Sequence, residues 1–108
     1  MGDRGPVTTS YVIVWEYRVP AERAADFERA YGPDGVWASL FRDQAGYLGT
    51  ELVQGGEAGV YVTIDRWTSE DAVERFMRAA RVQYDRLDAD LAALTIAERL
   101  VARGPSIG

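Results

Sequence analysis

The sequence predicts an α+β domain in the order strand, helix, strand, strand, helix, strand. Three observations carry that expectation. Between Tyr61 and Phe76, YVTIDRWTSEDAVERF, a two-residue period gives way across Thr68 and Ser69 to apolar spacings of three and four. The stretch GGEAG at 55–59 joins two strand-like runs directly, as an antiparallel hairpin requires. The first and last strand-like runs each sit beside a helical pattern, so strands and helices share one layer pair.

Residues 1–9 are small, polar or turn-forming and are expected to form a frayed N-terminal segment, with the domain itself over 10–103 and a loose tail at 104–108. In YVIVWEYRV, Tyr11, Ile13, Trp15 and Tyr17 share one face, and Val12, Val14, Glu16 and Arg18 the other. Both faces begin apolar, which suits a central strand covered on both sides. Pro20 fits the first turn of a helix, where its missing N–H would have been unpaired anyway. Behind it Ala24, Phe27, Ala30 and Tyr31 recur at helical spacing.

GPDG at 32–35 breaks that helix, because an interior Pro costs about 3 kcal/mol and each Gly about 1. Val36, Trp37, Leu40 and Phe41 resume the apolar stripe. Gly46 opens a second strand, GYLGTELVQ, and the hairpin leads to the third, where Tyr61, Thr63, Asp65 and Trp67 alternate with Val62, Ile64 and Arg66. Thr68 or Ser69 can cap the next helix, and Thr68 with Asp71 resembles a capping box. Val73, Phe76, Met77, Ala80, Tyr84, Leu87, Leu91 and Leu94 follow at helical spacing. A straight helix of about 25 residues would span about 38 Å and overrun strands of about 30 Å, so a bend is expected around Ala80 to Gln83. Thr95 to Arg103 reads as the last strand, with Ile96, Leu100 and Ala102 on one side. This order is the ferredoxin-like split arrangement, a four-stranded antiparallel sheet with helices on one face.

Helices on one face leave the other bare. With Val62 and Ile64 opposite Tyr61 and Trp67, the uncovered side would expose an apolar patch, and burial against a second copy is the simplest remedy. The alternative is that Glu16, Arg18, Glu51, Arg66 and Glu98 keep it wet. In a dimer, Arg66 is expected to pair across the interface with Glu51 or Glu98.

Composition narrows the chemistry. At 108 residues, 47% hydrophobic and 27% charged, the chain suits one soluble domain. A net charge of −5 repels phosphate backbones and anionic lipid, so no nucleic-acid or membrane partner is expected. No apolar run spans a bilayer and MGDRGPVTTS lacks a signal-peptide core, which points to the cytoplasm. The chain has no His, Cys, Asn or Lys; all twelve basic residues are Arg. That removes an imidazole base or ligand, a cysteine nucleophile and a Schiff-base lysine. Any chemistry must run on carboxylates, Tyr, Ser/Thr, Arg, water or the substrate, with no metal site and no cofactor expected.

The strand YVIVWEYRVP with Phe27 in the helix behind it, Gly46-Tyr47-Leu48-Gly49, and Asp65-Arg66-Trp67-Thr68-Ser69-Glu70 before Phe76 resemble the antibiotic biosynthesis monooxygenase group of the dimeric α/β-barrel superfamily. The resemblance covers about residues 10 to 103. It implies a homodimer and either cofactor-independent oxygenation of aromatic polyketides or haem degradation. The haem-degrading branch uses an Asn, a Trp and an axial His; Trp67 matches its Trp, and a chain without Asn or His has neither partner. The quinone-forming branch is similar in Trp67 and in its aromatic interior, and its Asn is missing too.

Oxygenation without a cofactor needs an electron-rich ring held in an apolar cavity, a base, and a group to stabilise the anion that develops. Trp15, Tyr17, Trp37, Phe41, Tyr61 and Trp67 are the candidate substrate-binding residues, unless they are simply core aromatics. Asp65 shares the face of Trp67 and is the candidate catalytic base, since desolvation would raise its pKa; otherwise it is a structural Asp beside a helix start. Glu74, Arg75, Arg78 and Arg81 read as a solvated helix face. Two other functions fit the same pocket: a non-catalytic binding or accessory protein, and a cofactor-free isomerase or cyclase.

Overall fold

The computed structural model describes residues 10–108, so the N-terminal segment 1–9 expected to fray lies outside it. Strand β1 (Tyr11–Arg18) leads through a 3-10 turn (Ala21–Arg23) into helix α1 (Ala24–Tyr31), then α2 (Val36–Arg42) and β2 (Tyr47–Gln54). Strand β3 (Val60–Trp67) is followed by α3 (Glu70–Leu91), a second 3-10 turn (Ala92–Leu94) and β4 (Ala97–Pro105). The strands form one antiparallel sheet in the order β2-β3-β1-β4. This is the expected ferredoxin-like α+β fold.

Local signals set the element ends. GPDG separates α1 from α2, and Ser69, not Thr68, caps α3 by accepting a hydrogen bond from the Ala72 N–H at 3.1 Å. Thr68 instead donates its backbone N–H to the Gly46 carbonyl at 2.7 Å. That contact seats the start of α3 against the start of β2, and it needs glycine. Gly46 has φ +99°, and a Cβ there would come within 2.6 Å of the Ala72 Cβ. The bend in α3 falls at Ala80, with φ −120° and ψ 19°.

The register sorts the side chains. Trp67 pairs with Tyr11, Asp65 with Ile13, Thr63 with Trp15 and Tyr61 with Tyr17, and this is the side the helices cover. Phe27, Phe76 and Trp67 are its most buried large side chains. Val12, Val14, Val62 and Ile64 face the other way, half-buried within the sheet and outside the core cluster.

Four expectations need correction here. Strand β4 starts two residues later and runs two further, to Pro105, because pairing with β1 continues and Ser106 N–H reaches the Ser10 carbonyl at 2.8 Å. Its register slips between Val14 and Trp15, so Leu100 faces the helices with Trp15 while Ala102 pairs with Val14 on the bare side. Glu98, opposite Tyr17, likewise lies on the helix-covered side and does not wet the open face. Arg66 pairs within its own chain, with Glu51 at 3.0 Å, since β2 and β3 place the two side by side.

Candidate active site

Alternation along β3 points Thr63, Asp65 and Trp67 toward the helices, and β1 adds Trp15 and Tyr17 beside them. Helix α2 supplies Trp37 and Phe41, and α1 ends on Tyr31. Past its bend, α3 contributes Tyr84 and Asp88, while β4 contributes Glu98. Together with Thr50 of β2 these residues enclose a cavity of about 270 Å³. A second lobe of about 140 Å³ shares the walls Trp15, Phe41, Asp65 and Tyr84 and is closed by Trp67, Phe76, Leu100 and Arg103.

Aromatic contacts hold the walls. Trp37 lies 5.0 Å from Tyr84 and 5.9 Å from Phe41 between ring centroids, and Tyr17 lies 5.0 Å from Tyr31. Such pairs add about 0.5 to 1.5 kcal/mol beyond their buried area, enough to keep rings upright around a space.

Among the described residues, Asp65 is the one carboxylate set among these rings, away from the rim. The Thr50 hydroxyl donates to its Oδ1 at 2.6 Å, and Tyr47 OH lies 2.5 Å from the Thr50 oxygen. Burial pushes the Asp65 pKa up to about 6 from its ordinary 3.8, and the Thr50 hydrogen bond restrains the rise. Burial also pushes the Tyr17 phenol far above its ordinary range and Tyr31 up to about 12, so both stay protonated donors at neutral pH.

Two buried polar atoms on the cavity wall are left without a hydrogen bond: the Trp37 Nε1–H and the Thr63 Oγ1. Tyr31 and Tyr17 are near enough that Trp37 and Thr63 slightly lower their phenol pKa values, yet neither contact has hydrogen-bond geometry. Trp37 is 8% exposed and Thr63 3%, so water does not freely satisfy them. Leaving such a group unpaired costs about 1 to 3 kcal/mol, and a bound oxygen-bearing molecule would relieve it.

The six aromatic candidates separate. Trp15, Tyr17, Trp37 and Phe41 line the larger cavity with Asp65, and Trp67 closes the smaller lobe. Tyr61 lines neither; it packs on Phe27 and its hydroxyl donates to Glu28 at 2.6 Å. Thr50, Thr63, Tyr31, Tyr84, Asp88 and Glu98 were not among the candidates. The alternation of β3 already put Thr63 on the face of Asp65, and Tyr84 stood in the apolar stripe of α3, so both carried a signal.

Fold and chamber define a ferredoxin-like α+β protein with an aromatic cavity between its sheet and its helices. The chain belongs to the antibiotic biosynthesis monooxygenase family, which its sequence matches over residues 10–83. Its structure is similar to a monooxygenase from the gene ActVA-Orf6 of Streptomyces coelicolor in complex with nanaomycin D, with TM-score 0.73, 20% identity and coverage of 94% of this chain and 90% of that one. It is also similar to a mutant form of SnoaB, a cofactor-independent oxygenase from Streptomyces nogalater, with TM-score 0.63, 23% identity and 92% of each chain covered. A dimeric ferredoxin-like protein from an uncultured marine organism superimposes with TM-score 0.64 at 10% identity, covering 93% and 90%. A 67-residue stretch is 36% identical to part of an arginine–tRNA ligase from Anaeromyxobacter sp. (strain K); the match spans 51% of this chain and 11% of that protein's length.

Proposed function

We propose that the chain is a cofactor-independent monooxygenase that oxidises a small phenolic aromatic or polyketide-like molecule with O2 in the cavity beside Asp65. One observation carries the reading: a desolvated carboxylate and two unsatisfied buried groups, Trp37 Nε1 and Thr63 Oγ1, line the same aromatic chamber. Asp65 takes the phenol proton, since a base with a pKa near 6 is largely ionised at neutral pH yet stronger than an ordinary Asp. The Trp37 indole N–H and the Thr63 hydroxyl then donate to the ring oxygen as it becomes anionic. The phenolate ring gives its electrons to O2 and forms a C–O bond to a peroxide, which takes the proton back from Asp65. Loss of the ring C–H proton and cleavage of O–O leave a quinone, and the departing hydroxide becomes water with that proton. One phenol and one O2 thus yield one quinone and one water, with every electron supplied by the ring.

The larger cavity sits near the small end of ligand pockets, roughly 300 Å³ upward, which suits two fused rings with a third reaching into the smaller lobe. Oxygen uptake and quinone absorbance with dihydroxynaphthalenes and anthrone test the proposal. The expected result is uptake above the buffer rate that falls at least about 100-fold in Asp65→Asn. Uptake at the buffer rate, unchanged by that substitution, would overturn it, and retained binding of the same compounds would then favour a binding protein.

The same proposal includes a homodimer through the bare sheet face. Val12, Val14, Val62 and Ile64 form an apolar strip there, bordered by the pairs Arg66–Glu51 and Arg99–Glu16, and no helix among the described residues covers it. Light scattering should report twice the 12.0 kDa chain mass; a species that stays at one chain mass at high concentration would sink the dimer.

A further inference from the structure

We propose that the larger cavity selects its aromatic ligand by charge, favouring rings that carry an ammonium group and rejecting those that carry a carboxylate. The inference rests on the reading that this cavity is where the ligand binds. Three carboxylates line it, Asp65, Asp88 and Glu98, and among the described residues no basic side chain does. None of the three belongs to an ion pair among the described residues. The nearest bases are engaged elsewhere. Arg103, on the smaller lobe, donates to Tyr11 OH at 2.8 Å and lies over the Tyr11 ring, and Arg81 pairs with Asp85 at 3.4 Å.

The three acids are arranged by depth. Asp65 sits inside, half-buried, while Glu98 on β4 and Asp88 on α3 are exposed at the rim. Burial raises the Glu98 pKa and the Asp88 charge raises it further, so the rim pair is a like-charge pair with no cation between its members. An ammonium group entering there would relieve that repulsion. It would also meet the faces of Trp15, Trp37 and Tyr84, which attract cations through the ring quadrupole. An entering carboxylate would find three like charges and no donor of full positive charge.

A second observation independently points to a ligand in this space. Trp37 and Thr63 are each more than nine-tenths buried, and neither the Trp37 Nε1 nor the Thr63 Oγ1 on the cavity wall is hydrogen-bonded. Their chemistry asks for an oxygen acceptor on the ring system, and the rim acids ask for a cation at its edge. The ligand class is therefore an oxygenated aromatic with a basic amine substituent, with uncharged relatives second.

The test uses three probes matched in their ring: 1-naphthylmethylamine, 1-naphthylmethanol and 1-naphthoate. None carries a phenol, so binding is read without oxidation, by calorimetry or tryptophan fluorescence at about pH 7.5, where the amine is charged. Wild-type protein should bind the ammonium probe about tenfold or more tighter than the alcohol, and the carboxylate about tenfold weaker than the alcohol. Both gaps should shrink as salt is raised, because the rim acids are exposed. Glu98→Gln and Asp88→Asn should each draw the ammonium and alcohol affinities together. Naphthoate binding as tightly as the ammonium probe would overturn charge selection, and that ranking is read on the wild-type chain whether or not the variants fold. Failure of all three probes to bind would overturn the cavity itself as the ligand site. Oxygen uptake with uncharged diols tests the oxygenase reading separately.

Discussion

The helix-covered face of the sheet is built in two ways within one layer. At one end Trp67, Phe76, Phe41 and Tyr47 lie with ring centroids 5.2 to 5.6 Å apart, and Trp67 and Phe76 are almost fully buried. Toward the other end, past the bend at Ala80, the rings of Trp15, Tyr17, Trp37 and Tyr84 stand around a cavity and carry polar atoms on its wall. Similar residue types thus serve two purposes. The first cluster supplies dispersion and buried area; the second gives up part of both and keeps groups unsatisfied, which is the pattern of a site that holds stability in reserve for a ligand.

The contrast can be broken from either end. Phe76→Ala should cost about 3 to 5 kcal/mol in denaturant unfolding, since it removes a buried ring against Trp67 and Phe41. A loss under about 1 kcal/mol would mean the packed end is looser than its ring contacts imply. Trp37→Phe keeps a ring and removes the unpaired N–H, so it should lower the turnover rate about 100-fold, with the midpoint of unfolding little changed. Equal activity in the two proteins would remove Trp37 from the chemistry.

Asp65→Asn should sharpen the comparison by raising stability. The folded pKa near 6 lies above the ordinary 3.8, so the wild-type fold is penalised for holding Asp65 ionised above about pH 6 and not at all below 3.8, where the group is protonated folded or unfolded. The variant should therefore gain about 1 to 2 kcal/mol near neutral pH, and the gain should vanish by about pH 4 in paired denaturation curves. A gain that grows toward acid would have the wrong sign for a desolvated carboxylate. The smallest effect belongs to Thr50→Val. Wild-type kcat/KM should rise with pH through about 6 as the base ionises, and loss of the Thr50 hydroxyl, which favours the ionised form, should move that rise to higher pH.

Much of this was legible along the chain. The break at GPDG, the cap at Ser69 and the bend at Ala80 follow from glycine and proline costs, local hydrogen bonding and a helix too long for its sheet. Alternation alone puts Asp65 and Trp67 on one face. Tyr61 shares that face and still misses the cavity, because Phe27 and Glu28 of α1 occupy its position. Glu98 falls on the side opposite to the one expected, because a bulge leaves no mark in a short strand of mixed residues.

By itself the sequence determined the order of elements, their ends, and the absence of imidazole, thiol and amine side chains from any chemistry. These depend on spacing and composition, which are properties of neighbours along the chain. Tertiary structure decided which face of the sheet the helices cover, that α3 bends where its second half leaves a space, and that Glu98 borders it. Those outcomes rest on how residues tens of positions apart pack against one another, and a one-dimensional pattern carries neither the distances nor the gaps.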